Sequence, residues 1–327
     1  MTVYYSKGHT SSGSPLAFET PANWNTEDDA TGSDATSLAG HHLIVQASHF
    51  MTLGADVPCG SVRLLGTLTG NDNTITTDRA TSNKPFDHDG TISGDLNVTI
   101  TNTGVQADGW MIDSGHGNTG NINDLTINMA NGTTANKTIG IAETCTLDGD
   151  LIITSGTFDT VFSGGSSQTL TVDGDCYVAG TLTGNASAIS LGSLEVAASG
   201  KYNATTGTTT ITAKDSVTGY SWDVNGTDSF DNNDGTVLFD LGSGVDTHVR
   251  TGQSDGANSF HHLTVLLNAS TNTLNMRPNA GTVMTVEGNL TVQEGILQKN
   301  THSHTLTVTG HVSIESGGKI DATSASG

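Results

Sequence analysis

The stretch Thr169 to Leu182, Thr-Leu-Thr-Val-Asp-Gly-Asp-Cys-Tyr-Val-Ala-Gly-Thr-Leu, keeps one apolar phase across two glycines. Leu170, Val172, Cys176, Val178 and Leu182 fall on even positions, and Gly174 and Gly180 fill the even positions between them. Side chains alternate between the two faces of a strand, so a phase that survives Gly174 means the chain turns there with one face still buried. The pattern predicts a coil of a parallel β-solenoid, with a glycine pointing inward at the corner.

The phrase recurs at Cys145-x-Leu147-x-Gly149-x-Leu151-x-Ile153, at Met284-x-Val286-x-Gly288-x-Leu290-x-Val292 and at Leu306-x-Val308-x-Gly310-x-Val312-x-Ile314. Corner glycines lie 25 residues apart from Gly149 to Gly174 and 22 apart from Gly288 to Gly310, a period at which solenoids stack one unit per coil. Leu170, Val172, Val178, Leu290, Val292, Leu306, Val308, Val312 and Ile314 are therefore expected to point into the coil. A longer repeat overlies this one, because Asn123-Asp-Leu-Thr-Ile127 matches His261-His-Leu-Thr-Val265 at an offset of 138 and Gly149 matches Gly288 at 139. The second copy reaches Gly327 about where the first reaches residue 191. That predicts either a natural chain that continues or a last coil that meets another subunit.

Four segments follow. Residues 1–40, with Pro15, Pro21 and Trp24, show no sustained alternation and read as an irregular N-terminal arm that caps the first coil or attaches the molecule to something else. Residues 41–213 read as a first solenoid segment. Residues 214–240 read as an inserted loop or break that Tyr220 and Trp222 anchor. Residues 241–327 read as a second solenoid segment, the duplicate of about 123–191. Aromatic residues are 5% of the chain, so small β-branched side chains are expected to fill a narrow interior behind shallow faces.

The formal charge is −22 with 33 acidic and 11 basic residues and no basic run. Nucleic acid and anionic membranes are not expected as partners on that ground, since phosphate contact needs clustered Lys and Arg. No apolar stretch approaches the roughly 18 residues that span a bilayer. Cys59, Cys145 and Cys176 lack metal-ligand spacing and an even-numbered disulfide framework, and read as small buried hydrophobes. Residues 1–7 lack the charged and apolar segments of a signal peptide, so an extracellular location implies release by lysis unless the sequence is a fragment.

Two features carry possible chemistry. Asp148-Gly149-Asp150 and Asp173-Gly174-Asp175 occupy equivalent corners, and coils stacked about 4.8 Å apart would gather four carboxylates. Such a group suits Ca2+ or the acid pair of a glycan-cleaving site, while plain turn preference explains the same residues. Their counterparts in the second copy are Glu287, Asn289, Thr309 and His311. His302-Ser-His304 puts two imidazoles on one face. Three chains around an axis could offer these to a transition metal, and two exposed polar residues is the competing reading. No nucleophile elbow, phosphate loop, dinucleotide fingerprint or zinc-protease motif is present.

The phrase Thr-Leu-Thr-Val-x-Gly-[Asn/Asp/His]-[Leu/Val]-x-[Val/Ile], with Phe260-His-His-Leu-Thr-Val265 and Gly317-Gly-Lys-Ile-Asp-Ala322, resembles β-solenoid structural proteins of bacteriophages, especially tail fibres and appendages of marine phages. The resemblance covers about residues 90–327. It implies a non-enzymatic virion component without a cofactor, commonly a homotrimer, that joins other virion proteins through its N-terminal arm, contacts a host surface glycan and is found in the virion or outside the cell. Secreted bacterial adhesins and tailspike-like polysaccharide depolymerases use similar coils. The missing signal segment weighs against the first, and the few aromatic platforms weigh against the second.

Overall fold

The computed structural model describes residues 2–8, 11–78, 84–101, 110–114 (backbone only), 120–130, 137–162, 164–242, 244–252, 258–277, 283–299 and 305–322. The chain is an all-β parallel β-solenoid, and it divides into two compact units, Met1–Gln168 and Thr169–Gly327.

In the first unit a full coil lays down three short strands on three faces. Ser61–Leu64, Thr67–Thr69 and Asn73–Thr77 are followed one coil later by Phe86–His88, Thr91–Ser93 and Leu96–Thr101, each parallel to its counterpart. Val62 pairs with Phe86 and Leu68 with Ile92, both 24 residues on. Inward positions carry the apolar residues predicted by alternation: Val62, Leu64, Leu68, Ile75, Phe86, Leu96 and Ile100 are fully buried. Outward positions carry rows of hydroxyls such as Thr76, Thr99 and Thr126, held in register from coil to coil.

The N-terminal segment is more regular than its sequence suggests. Val3–Ser6 pairs in parallel with His42–Val45, and Leu16–Ala17 pairs in parallel with Phe50–Thr52. The chain then doubles back, so that Trp24–Asn25 runs antiparallel to Val3–Ser6. Phe18 and Trp24 are fully buried with their rings 4.9 Å apart, and the Trp24 indole N–H donates to the Phe18 carbonyl at 2.8 Å. Alternation is hidden here because each strand is only two to four residues long.

In the second unit the interval 214–240 is a coil rather than a loop. Its strands Tyr220–Val224, Phe230–Asp231 and Thr236–Asp240 are joined by short corners, and Lys214 to Gly219 is a turn in which the Asp215 carboxylate accepts the N–H groups of Val217 and Thr218. Tyr220–Val224 pairs in parallel with Ile189–Val196 and Thr247–Thr251, and Thr236–Asp240 pairs with Thr208–Ile211 and His262–Leu266. The interior is not filled by β-branched residues alone. Tyr202, Trp222, Phe230, Phe239 and Phe260 are all buried, and Trp222 lies 4.9 Å from Phe230 and 5.3 Å from Phe260. Five of the chain's few aromatic rings are thus spent on one core, where each removes a large apolar area from water.

Leu170, Val172, Val178, Leu290 and Val292 are buried as expected. Val312 and Ile314 are not: they are 51% and 52% exposed, and Leu306 and Val308 are only half-buried. The phase is correct, because Val312 pairs with Leu290 and Ile314 with Val292. What is missing is cover, since among the described residues no strand stacks on the far side of Val312–Asp321.

His88 takes an inward place in the first unit, paired with Leu64, and is 1% exposed. Burial pushes its pKa from 6.5 down to about 4. Between those values the unfolded chain binds a proton that the folded chain refuses, so stability falls as pH falls through that window. The loss is about 3 kcal/mol by pH 4. Urea unfolding of the wild type and His88→Leu at neutral and acid pH should show a shallower acid loss in the variant, and equal slopes would contradict this placement.

Candidate functional site

The corner glycines are explained by stacking rather than by an inward position. A Cβ on Gly288 would lie 2.5 Å from His262 Nδ1 and 2.9 Å from the His261 carbonyl. On Gly310 it would lie 2.5 Å from the Gly288 carbonyl oxygen, and on Gly149 it would press on the Asp124 carboxylate. Each glycine faces the previous coil, which it touches through backbone.

Side chains around these glycines tie coil to coil. Asn97 Oδ1 accepts the Asp124 N–H at 3.2 Å, and Asp124 Oδ1 accepts the Asp150 N–H at 2.8 Å. In the second unit His262 Nδ1 accepts the Asn289 N–H at 2.9 Å and Asn289 Oδ1 accepts the His311 N–H at 3.0 Å. The imidazole therefore stands as the tautomer with a bare Nδ1. The first corner residue follows the same rule: Asp148 accepts from Asn121 Nδ2 at 2.7 Å, and Glu287 accepts from the Ser259 hydroxyl and, at 3.3 Å, from Asn232 Nδ2. Backbone bonds match as well, with the Gly149 N–H on the Asn123 carbonyl and the Gly288 N–H on the His261 carbonyl. The duplication read from sequence is thus one hydrogen-bonded corner built twice from different side chains.

A third ladder crosses an outer face of the second unit. Glu195 pairs with Asp223 and Asp223 with Arg250. Arg250 binds both Asp223 carboxylate oxygens and lies 4.9 Å from the Tyr220 ring centre. Burial first, then the charges of Asp223 and Asp215, hold the Glu195 carboxyl above its ordinary pKa.

At the second unit's corner the Ser259–Glu287–Asn232 contacts lie in a groove of about 570 Å³, lined by Lys201, Asp228, Phe230, Asp231, Asn232, Ser259 and Glu287. The residues come from four successive coils, so the groove runs along the stack for roughly 14 Å at 4.8 Å per coil. It is polar and open, and the expectation of uniformly shallow faces missed it. Only Glu287 among its residues was marked by the repeat. Asp228, Asp231 and Ser259 come together through stacking and share no local motif, although the run Asp231-Asn-Asn-Asp234, which contributes Asp231 and Asn232 to the lining, is a turn signal.

Of the sequence-derived candidates, Asp148 and Asp150 belong to the first unit and act in the corner just described. Asp173 and Asp175 belong to the second, where Asp173 is exposed and Asp175 accepts from the Ser193 hydroxyl at 2.7 Å. His302 and His304 lie outside the described residues. Among the described residues no group of three or more His, Cys, Asp or Glu side chains is placed to hold a metal ion. The three cysteines are buried and not disulfide-bonded, and burial pushes the Cys59 thiol pKa up. No helix among the described residues is long and apolar enough to cross a membrane.

If the corner carboxylate holds the next coil, Asp124→Ala should cost about 1 to 2 kcal/mol by leaving the Asp150 N–H without its acceptor. The solvated Asp173→Ala should cost under about 0.5 kcal/mol. Urea midpoints measure both, and equal effects would remove the structural role assigned to Asp124. No protein-family model, no curated protein and no solved structure matches this chain.

Proposed function

We propose that the chain is a non-enzymatic structural protein of a phage virion, in a fibre, an appendage or a capsid decoration, that meets the host surface with the polar faces of its coils. The observation that carries this reading is the commitment of the corner acids to neighbouring coils. Asp124, Asp148 and Glu287 each accept a hydrogen bond from one coil away, so these corner acids are used to hold the stack. The outer faces offer repeated hydroxyls, such as Thr171, Ser190 and Thr210 in one row and Thr264, Thr291 and Ser313 in its continuation. Single contacts to such rows are weak, and repetition multiplies them.

The groove at Asp231 and Glu287 gives a specific opening to the depolymerase alternative, because two carboxylates flanking a sugar chain are what glycoside cleavage needs. Glu287 argues against it, since both of its oxygens already accept from Ser259 and Asn232. The deciding experiment incubates the purified chain with capsular and lipopolysaccharide glycans from candidate hosts and follows both retention and new reducing ends. Retention without cleavage is expected. Released oligosaccharide that disappears in Asp231→Asn or Glu287→Gln would move the protein to the depolymerases.

A further inference from the structure

The strand Val312–Asp321 is ten residues long and pairs along one edge with Leu290–Lys299. Among the described residues no strand occupies its other edge. Its side chains include Val312 and Ile314, exposed to 51% and 52% although their register neighbours Leu290 and Val292 are fully buried. A long edge with exposed apolar side chains is a template for pairing with another strand.

The sequence of this edge is complementary to itself. Laid antiparallel with Gly317 opposite Gly317, Ile314 meets Ile320, Glu315 meets Lys319, Ser313 meets Asp321 and Val312 meets Ala322. Ile314 and Ile320 both belong to the inward row, being paired with the buried Val292 and Leu297. The strand turns between Ile314 and Gly317, where its register with Leu290–Lys299 shifts. A two-fold axis through that corner carries one arm onto the other and keeps inward side chains inward. A slip of one residue would set Ile314 against Lys319 and reverse every face. Among the described residues the N-terminal edge of the sheet that contains Val3–Ser6 offers no comparable ladder for head-to-tail growth. Trp24–Asn25 is two residues long, and Asn25 is already bridged to Asp34.

We propose that the free edge of Val312–Asp321 is the interface of a two-fold homodimer, in which a second copy lays the same strand antiparallel against it, with Glu315 opposite Lys319 twice. An isologous contact of this kind closes on itself, and opposite charges directly across a ladder fix its register. The inference goes beyond the proposed function and does not depend on it.

Sedimentation equilibrium of the full chain at micromolar concentration should give a particle of twice 33.5 kDa. Lys319→Glu sets like charges opposite each other at two places and should weaken association by about tenfold or more. The swap Glu315→Lys with Lys319→Glu restores both pairs and should restore the dimer. Circular dichroism and melting of each variant confirm that these exposed substitutions leave the fold intact. A monomer at every concentration, a trimer, or a dimer indifferent to Lys319→Glu would overturn the proposal.

Discussion

Val265→Asp is expected to lower stability by about 4 kcal/mol or more, a large share of what a domain possesses. Val265 is fully buried and stands between two fully buried register neighbours, Phe239 one coil below and Val292 one coil above. A carboxylate there has neither water nor a donor, and it must either stay charged in an apolar core or take up a proton against its ordinary pKa. The adjacent Thr264 points outward between Leu238 and Thr291. Thr264→Asp should therefore change stability by less than about 1 kcal/mol. Thermal melts and urea midpoints of the two variants form the comparison, and similar losses would mean that Val265 does not face the core.

The second large effect is expected at Gly156 and Gly295, equivalent corners 139 residues apart in the duplication. Both have left-handed backbone, with φ of +86° and +94°. A Cβ at Gly156 would lie 2.6 Å from Met129 Cβ and 2.7 Å from the Lys137 carbonyl oxygen, and at Gly295 it would lie 2.7 Å from Leu267 Cβ. Valine pays twice, for a conformation that β-branched residues avoid and for overlap with a packed neighbour. Those penalties together cost about 3 kcal/mol or more at either position. Gly244 separates the two causes, since its φ is +82° but a Cβ there meets nothing within 4 Å. Gly244→Ala should cost only about 1 kcal/mol. Melting temperatures that fail to rank the corner variants below Gly244→Ala would show that the corner contacts are not tight.

Much of this architecture was legible because period-2 alternation and corner glycines are local signals. The phase through Leu170, Val172, Cys176 and Val178 located buried positions, and the offset of Gly149 from Gly288 located a corner that proved identical in its backbone bonds. Alternation reports phase but not cover, so Val312 and Ile314 read as core although nothing described stacks on them. The coil at Tyr220–Val224 was obscured by large rings in places where β-branched residues were expected. The role of the corner acids was also out of reach, because Asp124 and Asp150 are 26 residues apart and meet only when coils stack. The groove shares that difficulty, since Lys201 and Glu287 border one space while 86 positions apart in the chain.

The parallel, in-register stack underlies every assignment of core, corner and face, and cysteine pairing tests it most directly. Thr264 and Thr291 are register partners on an outward row. Their Cα atoms stand one inter-strand spacing apart, about 4.8 Å, within reach of a disulfide. Asn289 lies two residues before Thr291, which places it roughly 8 Å from Thr264, beyond that reach. The native cysteines are buried and do not compete. Under mild oxidation Thr264→Cys with Thr291→Cys should form one intramolecular disulfide, and Thr264→Cys with Asn289→Cys should stay reduced. Rapid closure of the second pair with failure of the first would contradict the parallel register on which the account stands.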